Sequence, residues 1–336
     1  MYRSAEISKV AWDTFTQARA EANFLHSWQW GDVAERMGEL IVRRGIFHEE
    51  TLVGVLLGIV RDARRGRYLE VPGGPLIDWT DRSLAEFVAG EIANIGRQHG
   101  CVFVRLRPQL YESDENTRLF TGLGFRRAPM HLHAEHTNIL HITSTEDELL
   151  AGMRRQTRYE VRRGDKQGVV VTAASDSAAI DEFFTVQADT ARRQGFIPPS
   201  KKLLEAEVSA FTGDAVVYRA EREGELLNLA LVLLYGREAV YFEAASTPEA
   251  RKYPGAYAIV WQAIRDAKAA GCERFNFWGI AYSDDPNHRY AGVTTFKRGF
   301  GGDDVAYVPA HDLVLKPVAY LKNWLVETVR KKKRKL

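Results

Sequence analysis

The sequence predicts a mixed α/β fold built from two copies of one domain. Three observations carry this: a length of 336 residues, a 45% hydrophobic share with nearly balanced charge, and blocks of sequence that recur in order. At roughly 150 residues per domain, the length allows about two domains, each able to bury a core without disulfides. Cys101 and Cys272 alone cannot make a disulfide framework or a thiolate zinc site. The longest purely apolar run, Leu52 to Val60, is nine residues with glycines inside, against about 20 for a membrane helix. The opening segment lacks the apolar stretch of a secretory signal, so a cytoplasmic location is expected.

The repeat sets the element order. In the first copy, Ile41–Arg44 leads through the turn His48-Glu49-Glu50 to the apolar strand from Leu52, and through Arg64-Arg65-Gly66 to the strand at Tyr68-Leu69-Glu70. A helix over Ser83–Gln98 then ends at His99-Gly100-Cys101 and runs into the strand Val102–Leu106. The second copy repeats this with Ala215–Tyr218, Glu223-Gly224, the strand from Leu226, Tyr235-Gly236-Arg237, Tyr241-Phe242-Glu243, the helix Tyr257–Ala270, Gly271-Cys272 and Arg274–Trp278. The offsets are 174 for Ile41 and Ala215, 174 for Leu52 and Leu226, 173 for Tyr68 and Tyr241, and 171 for the cysteines. Four ordered matches at almost one spacing point to a duplicated unit. Three antiparallel strands, a helix and a further strand make a mixed sheet covered by helices.

Between the copies, Leu149–Lys166 reads as one helix with Arg154, Arg158 and Arg162 on one face, a candidate phosphate or RNA surface. Met130–His136, with His131 and His133, reads as strand and interdomain linker, and no metal site is assigned because neither HExxH nor a cysteine pair is present. At the far end Val318, Leu321, Leu325 and Val329 share a helical face that is expected to dock on the first domain. Six basic residues at 330–335 leave the rest slightly acidic, and this basic end is expected to reach anionic lipid headgroups.

The element order is similar to the acyltransferase fold named GNAT, in which a glycine-rich turn before the central helix holds the coenzyme A pyrophosphate. Neither Val71-Pro72-Gly73-Gly74-Pro75 nor Arg251-Lys252-Tyr253-Pro254-Gly255-Ala256-Tyr257 gives a clean version of that loop, because Tyr257 stands where a small residue is needed. More specifically, Phe277-Trp278-Gly279-Ile280 followed by Gly292-Val293-Thr294-Thr295-Phe296-Lys297-Arg298-Gly299-Phe300-Gly301-Gly302 resembles the Fem-type, peptidoglycan bridge-forming aminoacyltransferases (FemABX), which are tandem GNAT-like proteins. Phe24-Leu25-His26-Ser27-Trp28-Gln29-Trp30-Gly31, Leu123-Gly124-Phe125 and Thr157-Arg158-Tyr159-Glu160-Val161-Arg162 extend the resemblance over nearly the whole chain.

The resemblance implies a first domain of residues 1–142 plus 313–336, binding the acceptor, and a second of 143–312, transferring the acyl group. With room for only one short helix between Arg193 and Phe211, it implies the compact type without a helical arm. It implies transfer of an amino acid from aminoacyl-tRNA to the stem peptide of a peptidoglycan precursor, UDP-linked or lipid-linked, with no further cofactor. Lys297 is implied to meet the developing oxyanion, with Phe296 beside the acceptor or the tRNA terminus. Arg193 and Arg36 are candidate diphosphate contacts, Asp32 standing where relatives place a lysine. Trp30, Tyr257, Arg158 and Gly299 complete the expected substrate-binding set. Asp284, Asp285 and His288 lie near the motif in an ordinary turn. Two other readings fit the residues: a coenzyme A-dependent N-acyltransferase acting on another amine-bearing glycan or peptide, and a binding module that attaches RNA to a membrane surface.

Overall fold

A computed structural model of the chain describes residues 1–63 and 66–334, in two compact units. One is Met1–Glu135 together with the chain from Ala306, the other His136–Val305. The turn read at Arg64-Arg65-Gly66 and the end of the basic segment lie partly outside the described residues.

The first unit opens with β1 (Tyr2–Ala5), α1 (Lys9–Gln17), α2 (Trp28–Arg36), β2 (Leu40–His48), β3 (Thr51–Ala63), β4 (Gly66–Pro72) and β5 (Leu76–Ile77). It continues through α3 (Arg82–Gln98), β6 (Phe103–Arg107), α4 (Asp114–Gly122) and β7 (Arg126–Arg127). Asp81 caps α3 by accepting from the Leu84 N–H, one of the helix's orphan donors. The apolar face of α3, with Leu84, Val88, Ile92 and Ile95, packs on Leu56, Val60, Leu69 and Val104 of the sheet.

The second unit holds β8 (His136–His141), α5 (Glu146–Gly152), α6 (Arg155–Lys166), β9 (Val169–Ala174), α7 (Ser177–Gln194), α8 (Lys201–Ala210) and β10 (Ala215–Arg222). Next come β11 (Glu225–Tyr235), β12 (Glu238–Ser246), α9 (Gly255–Ala269), β13 (Arg274–Gly279), α10 (Ala291–Arg298) and β14 (Asp303–Ala306). Its core joins Ile259, Val260 and Ile264 of α9 to Ala230 and Val232 of β11, with Phe275, Phe277 and Phe300. The chain then returns to the first unit as β15 (His311–Val314) and α11 (Pro317–Arg334).

The two sheets share an order. One runs β1-β2-β3-β4-β6-β15-β7 with β5 paired to β3, the other β9-β10-β11-β12-β13-β8-β14. The hairpin strands β1 to β4 and β9 to β12 pair antiparallel, and each sheet then has a parallel step, β4 with β6 and β12 with β13. Those steps follow the crossover helices α3 and α9, as parallel pairing requires.

Several expectations are corrected. The units divide at 135/136 and 305/306 rather than 142/143 and 312/313, because β8 pairs with β13 and β15 with β6. Hydrogen bonding, not the last apolar residue, sets the boundary. The strand match at an offset of 173 is three residues out of register: Glu70 pairs with Arg105 and Val240 with Asn276, so Val240 takes the place of Glu70. The single helix expected over Leu149–Lys166 is two, broken at Met153-Arg154, where both residues are extended in ψ.

The expected docking face of α11 is also reversed. Val318, Leu321, Leu325 and Val329 are 51–89% exposed, while Tyr320, Asn323 and Glu327 face inward. The buried Arg105 of β6 explains this choice. Its guanidinium forms a bidentate pair with Asp312 at 2.8 Å and reaches Glu327 at 2.8 Å, and the Tyr320 hydroxyl donates to Asp312 at 2.9 Å. An apolar helix face over Arg105 would leave a buried cation short of an anion, which costs more than exposing four apolar side chains.

Candidate active site

Helix α10 carries the Phe-Lys pair. Its Thr294 is buried and accepts a hydrogen bond from the Ala281 N–H at 2.8 Å, which ties the helix to the chain leaving β13. One turn on, Lys297 is only 8% exposed, and its Nζ donates to the Gly279 carbonyl at 2.7 Å. Burial without a counter-charge pushes its ammonium down to about 7. The carbonyl it meets is set by strain: Trp278, the residue before, has φ of 58°, a left-handed conformation that a tryptophan adopts only when its surroundings fix it. The Trp278 N–H donates to Asn276 Oδ1 at 2.8 Å, and the Thr137 hydroxyl donates to the same oxygen, which holds the bend.

Lys297 and Phe296 form part of the wall of a cavity of about 300 Å³ within the second unit. The opposite wall comes from β12, with Tyr241, Glu243 and Ser246, and from Asn228 of β11 and Thr190 of α7. A buried amine with a pKa near neutrality at the edge of a concave site, beside a strained strand end, is the kind of group active sites employ.

The other expected site residues scatter. Arg193 sits at the cavity rim, where its Nη2 donates to the Ser246 carbonyl and to Thr190 Oγ1. Tyr257 lies behind Phe296, its ring 5.0 Å from that of Phe296 and 5.8 Å from that of Phe300, so it supports the wall. Gly299 gives close approach to the protein rather than to a ligand: a Cβ there would lie 2.3 Å from Thr157 Oγ1. Arg158 is committed to the end of α5, donating to the Leu150 and Ala151 carbonyls at 3.3 and 2.9 Å, so the basic face of α6 is thinner than its sequence implies. In the first unit, Trp30 is buried edge-on to Phe24 and His133, and Arg36 is exposed at the end of α2. His133 bonds Glu70 at 2.7 Å, and among the described residues no cluster suits a metal ion.

Both glycine turns pack against the protein itself. A Cβ on Gly255 would lie 2.5 Å from Asn228 Oδ1, and Cβ atoms on Gly73 and Gly74 would lie 2.1 and 2.2 Å from Asn23 and His26. His26 lies under that second turn, bonded to the Pro72 carbonyl at 2.8 Å and pushed down to about 4 by burial. Asp284, Asp285 and His288 have local roles. Asp284 pairs with Arg298 at 2.6 Å, while Asp285 and His288 accept backbone N–H groups within their own turn.

Sequence reasoning missed the acidic wall. Glu243 accepts from Gln187 Nε2 at 2.6 Å, and beside it Glu207 of α8 is 1% exposed with its Oε2 unpartnered. Burial raises both carboxyls, Glu207 further because Glu243 lies near. Only the packing of α8 on α7 and β10, and of α7 on β12, brings these residues together.

The chain resembles known proteins in sequence and in fold. The sequence model of the FemAB family matches residues 7–121 and 214–328. The chain is 26% identical over 262 residues to UDP-N-acetylmuramoylpentapeptide-lysine N(6)-alanyltransferase of Weissella viridescens, across 74% of this chain and 76% of that protein. It is 22% identical to aminoacyltransferase FemB of Staphylococcus epidermidis, across 78% and 82% of the two chains. Among solved structures it is similar to FemX, with a TM-score of 0.86 at 16% identity over 97% of this chain and 100% of that one. A tandem GNAT protein from clavulanic acid biosynthesis aligns with a TM-score of 0.55 at 11% identity, over 93% and 98% of the chains.

Proposed function

This chain belongs to the FemAB family, and from that premise we propose that it is an aminoacyltransferase that adds an amino acid to the stem peptide of a peptidoglycan precursor, with aminoacyl-tRNA as donor. The amine nitrogen of the acceptor attacks the ester carbonyl carbon. A C–N bond forms, the bond to the tRNA 3′ oxygen breaks, and the proton lost by the amine ends on that oxygen. Negative charge collects on the carbonyl oxygen in between. The observation that carries the reading is Lys297, a desolvated ammonium on the cavity wall whose Nζ donates to the Gly279 carbonyl. In a site of low dielectric such a donor stabilises the adduct far more than it would in water. Phe296 beside it supplies an apolar wall for the donor terminus. Arg193 is proposed to meet the acceptor's diphosphate, Arg158 and the exposed face of α6 the tRNA backbone.

The first unit is proposed to bind the acceptor, and the protein to work at the cytoplasmic face of the membrane on a lipid-linked precursor. Support comes from α11, whose outward stripe of Val318, Leu321, Leu325 and Val329 is flanked by Lys322, Arg330 and Lys331. An exposed apolar stripe edged by cations matches an anionic bilayer surface.

The test is to incubate the protein with a mixture of charged tRNAs and either a UDP-linked or a lipid-linked muropeptide, then read the mass gained by the acceptor. Gain of one aminoacyl unit supports the reading, and no gain with any donor overturns it.

A further inference from the structure

Among the described residues, one group of buried carboxylates has no cation. Glu70 is met by Arg61 and His133, Asp312 and Glu327 by Arg105, and Glu238 by Arg274. Glu207, as deeply buried as any of them, has only its neighbour Glu243, whose sole side-chain donor among the described residues is the neutral amide of Gln187. Glu243 lies on the cavity wall, and so does Asn228, whose buried Oδ1 is also unpartnered. Lys297 does not fill the role. It shares the cavity but is held by Gly279, and its burial is relieved by no carboxylate. Among the described residues no cation meets Glu243 or Glu207, Arg193 at the cavity rim being turned to the Ser246 carbonyl and Thr190, while each of the other buried acids has one.

We infer that Glu243 is the docking point for an ammonium group entering the cavity, and that this group is the α-amino group of the aminoacyl residue being transferred. The inference rests on the proposed reaction. The acceptor amine is the other candidate, but it must be neutral to attack, and a carboxylate that holds it as an ammonium would suppress its nucleophilicity. The donor's α-ammonium takes no part in bond making and can be held throughout. Glu207 acts through Glu243, as a positioning residue that keeps the pair poised to accept positive charge.

Binding measures this without turnover. Two probes are needed, each a short RNA ending in CCA whose terminal ribose carries a hydrolysis-resistant 3′-amide, one alanyl and one lactyl. They differ only by an α-ammonium against an α-hydroxyl. Wild-type protein should bind the alanyl probe about tenfold or more tightly. Glu243→Gln, with unfolding temperature checked, should bring the two affinities within about threefold by weakening the alanyl probe alone. Glu207→Gln should narrow the gap by a smaller factor. Equal binding of the probes by wild type, no binding of either, or an unchanged preference in Glu243→Gln would each overturn the inference. Amine-selective binding in a protein that transfers nothing would leave it standing and remove the proposed reaction instead.

Discussion

Lys297 Nζ stands 2.7 Å from the carbonyl oxygen of Gly279, the residue that follows the strained Trp278 at the end of β13. The lysine thus meets a backbone dipole inside the protein and also lines the cavity. That arrangement is poor for stability and good for meeting charge that appears only during a reaction.

Lys297→Met should therefore separate activity from stability. Loss of the oxyanion donor is expected to lower kcat by about 10²- to 10³-fold, with acceptor affinity little changed. The unfolded chain binds the Lys297 proton up to pH 10.5, the folded one only up to about 7. Stability of the native protein consequently rises with pH across that window, and the gain from the methionine is largest at and below pH 7. It should reach roughly 1–3 kcal/mol there, read as a higher unfolding temperature, and fade toward pH 10.

The same ionisation shapes the pH–rate profile. The proposed reaction uses protonated Lys297, which is lost as pH rises through about 7, and a neutral acceptor amine, which is gained as pH rises toward its own pKa. Log kcat/KM should climb with unit slope below pH 7 and flatten above it. Lys297→Arg, charged throughout, should keep climbing past pH 7. A wild-type slope that stays at one from pH 7 to 9 would overturn the need for protonated Lys297.

Gly299 and Thr157 form a second test, of packing. A methyl at Gly299 would sit 2.3 Å from a buried Thr157 Oγ1 that has no hydrogen-bond partner. Gly299→Ala should cost roughly 1–3 kcal/mol, while Thr157→Ala alone should be nearly neutral. Calorimetry of the double variant should recover at least about 0.5 kcal/mol of the loss if the clash is its cause.

For α11, co-sedimentation with vesicles gives the readout. Wild type should bind membranes containing anionic phosphatidylglycerol, less so at high salt, and bind neutral phosphatidylcholine weakly. Leu321→Glu with Leu325→Glu should reduce binding at least about tenfold. Both side chains are more than half exposed, so the unfolding temperature should hold. Binding that survives the double substitution would remove the membrane role.

Much of the architecture was legible because it is local. The alternation around the hairpins, the helix ending at Gly100-Cys101 and its echo at Gly271-Cys272 are patterns of turn chemistry and period that need no distant partner. Lys297 was legible through its motif, whereas its buried state was not, since lysine is ordinarily exposed. That Arg158 reaches the carbonyls at the end of α5, and that Gly299 lies against Thr157, could not be read from the sequence.

By itself the sequence determined two copies of a mixed α/β unit, the element order within each, and the Phe-Lys pair on its helix, because side-chain period and turn residues act over a few positions. Tertiary structure alone decided which face of α11 turns inward, since that depends on Arg105, some 200 residues earlier, needing Glu327. It alone decided that Glu207 and Glu243 share a buried corner without a cation among the described residues. Burial of charge is a property of the assembled neighbourhood, and no window of sequence contains that neighbourhood.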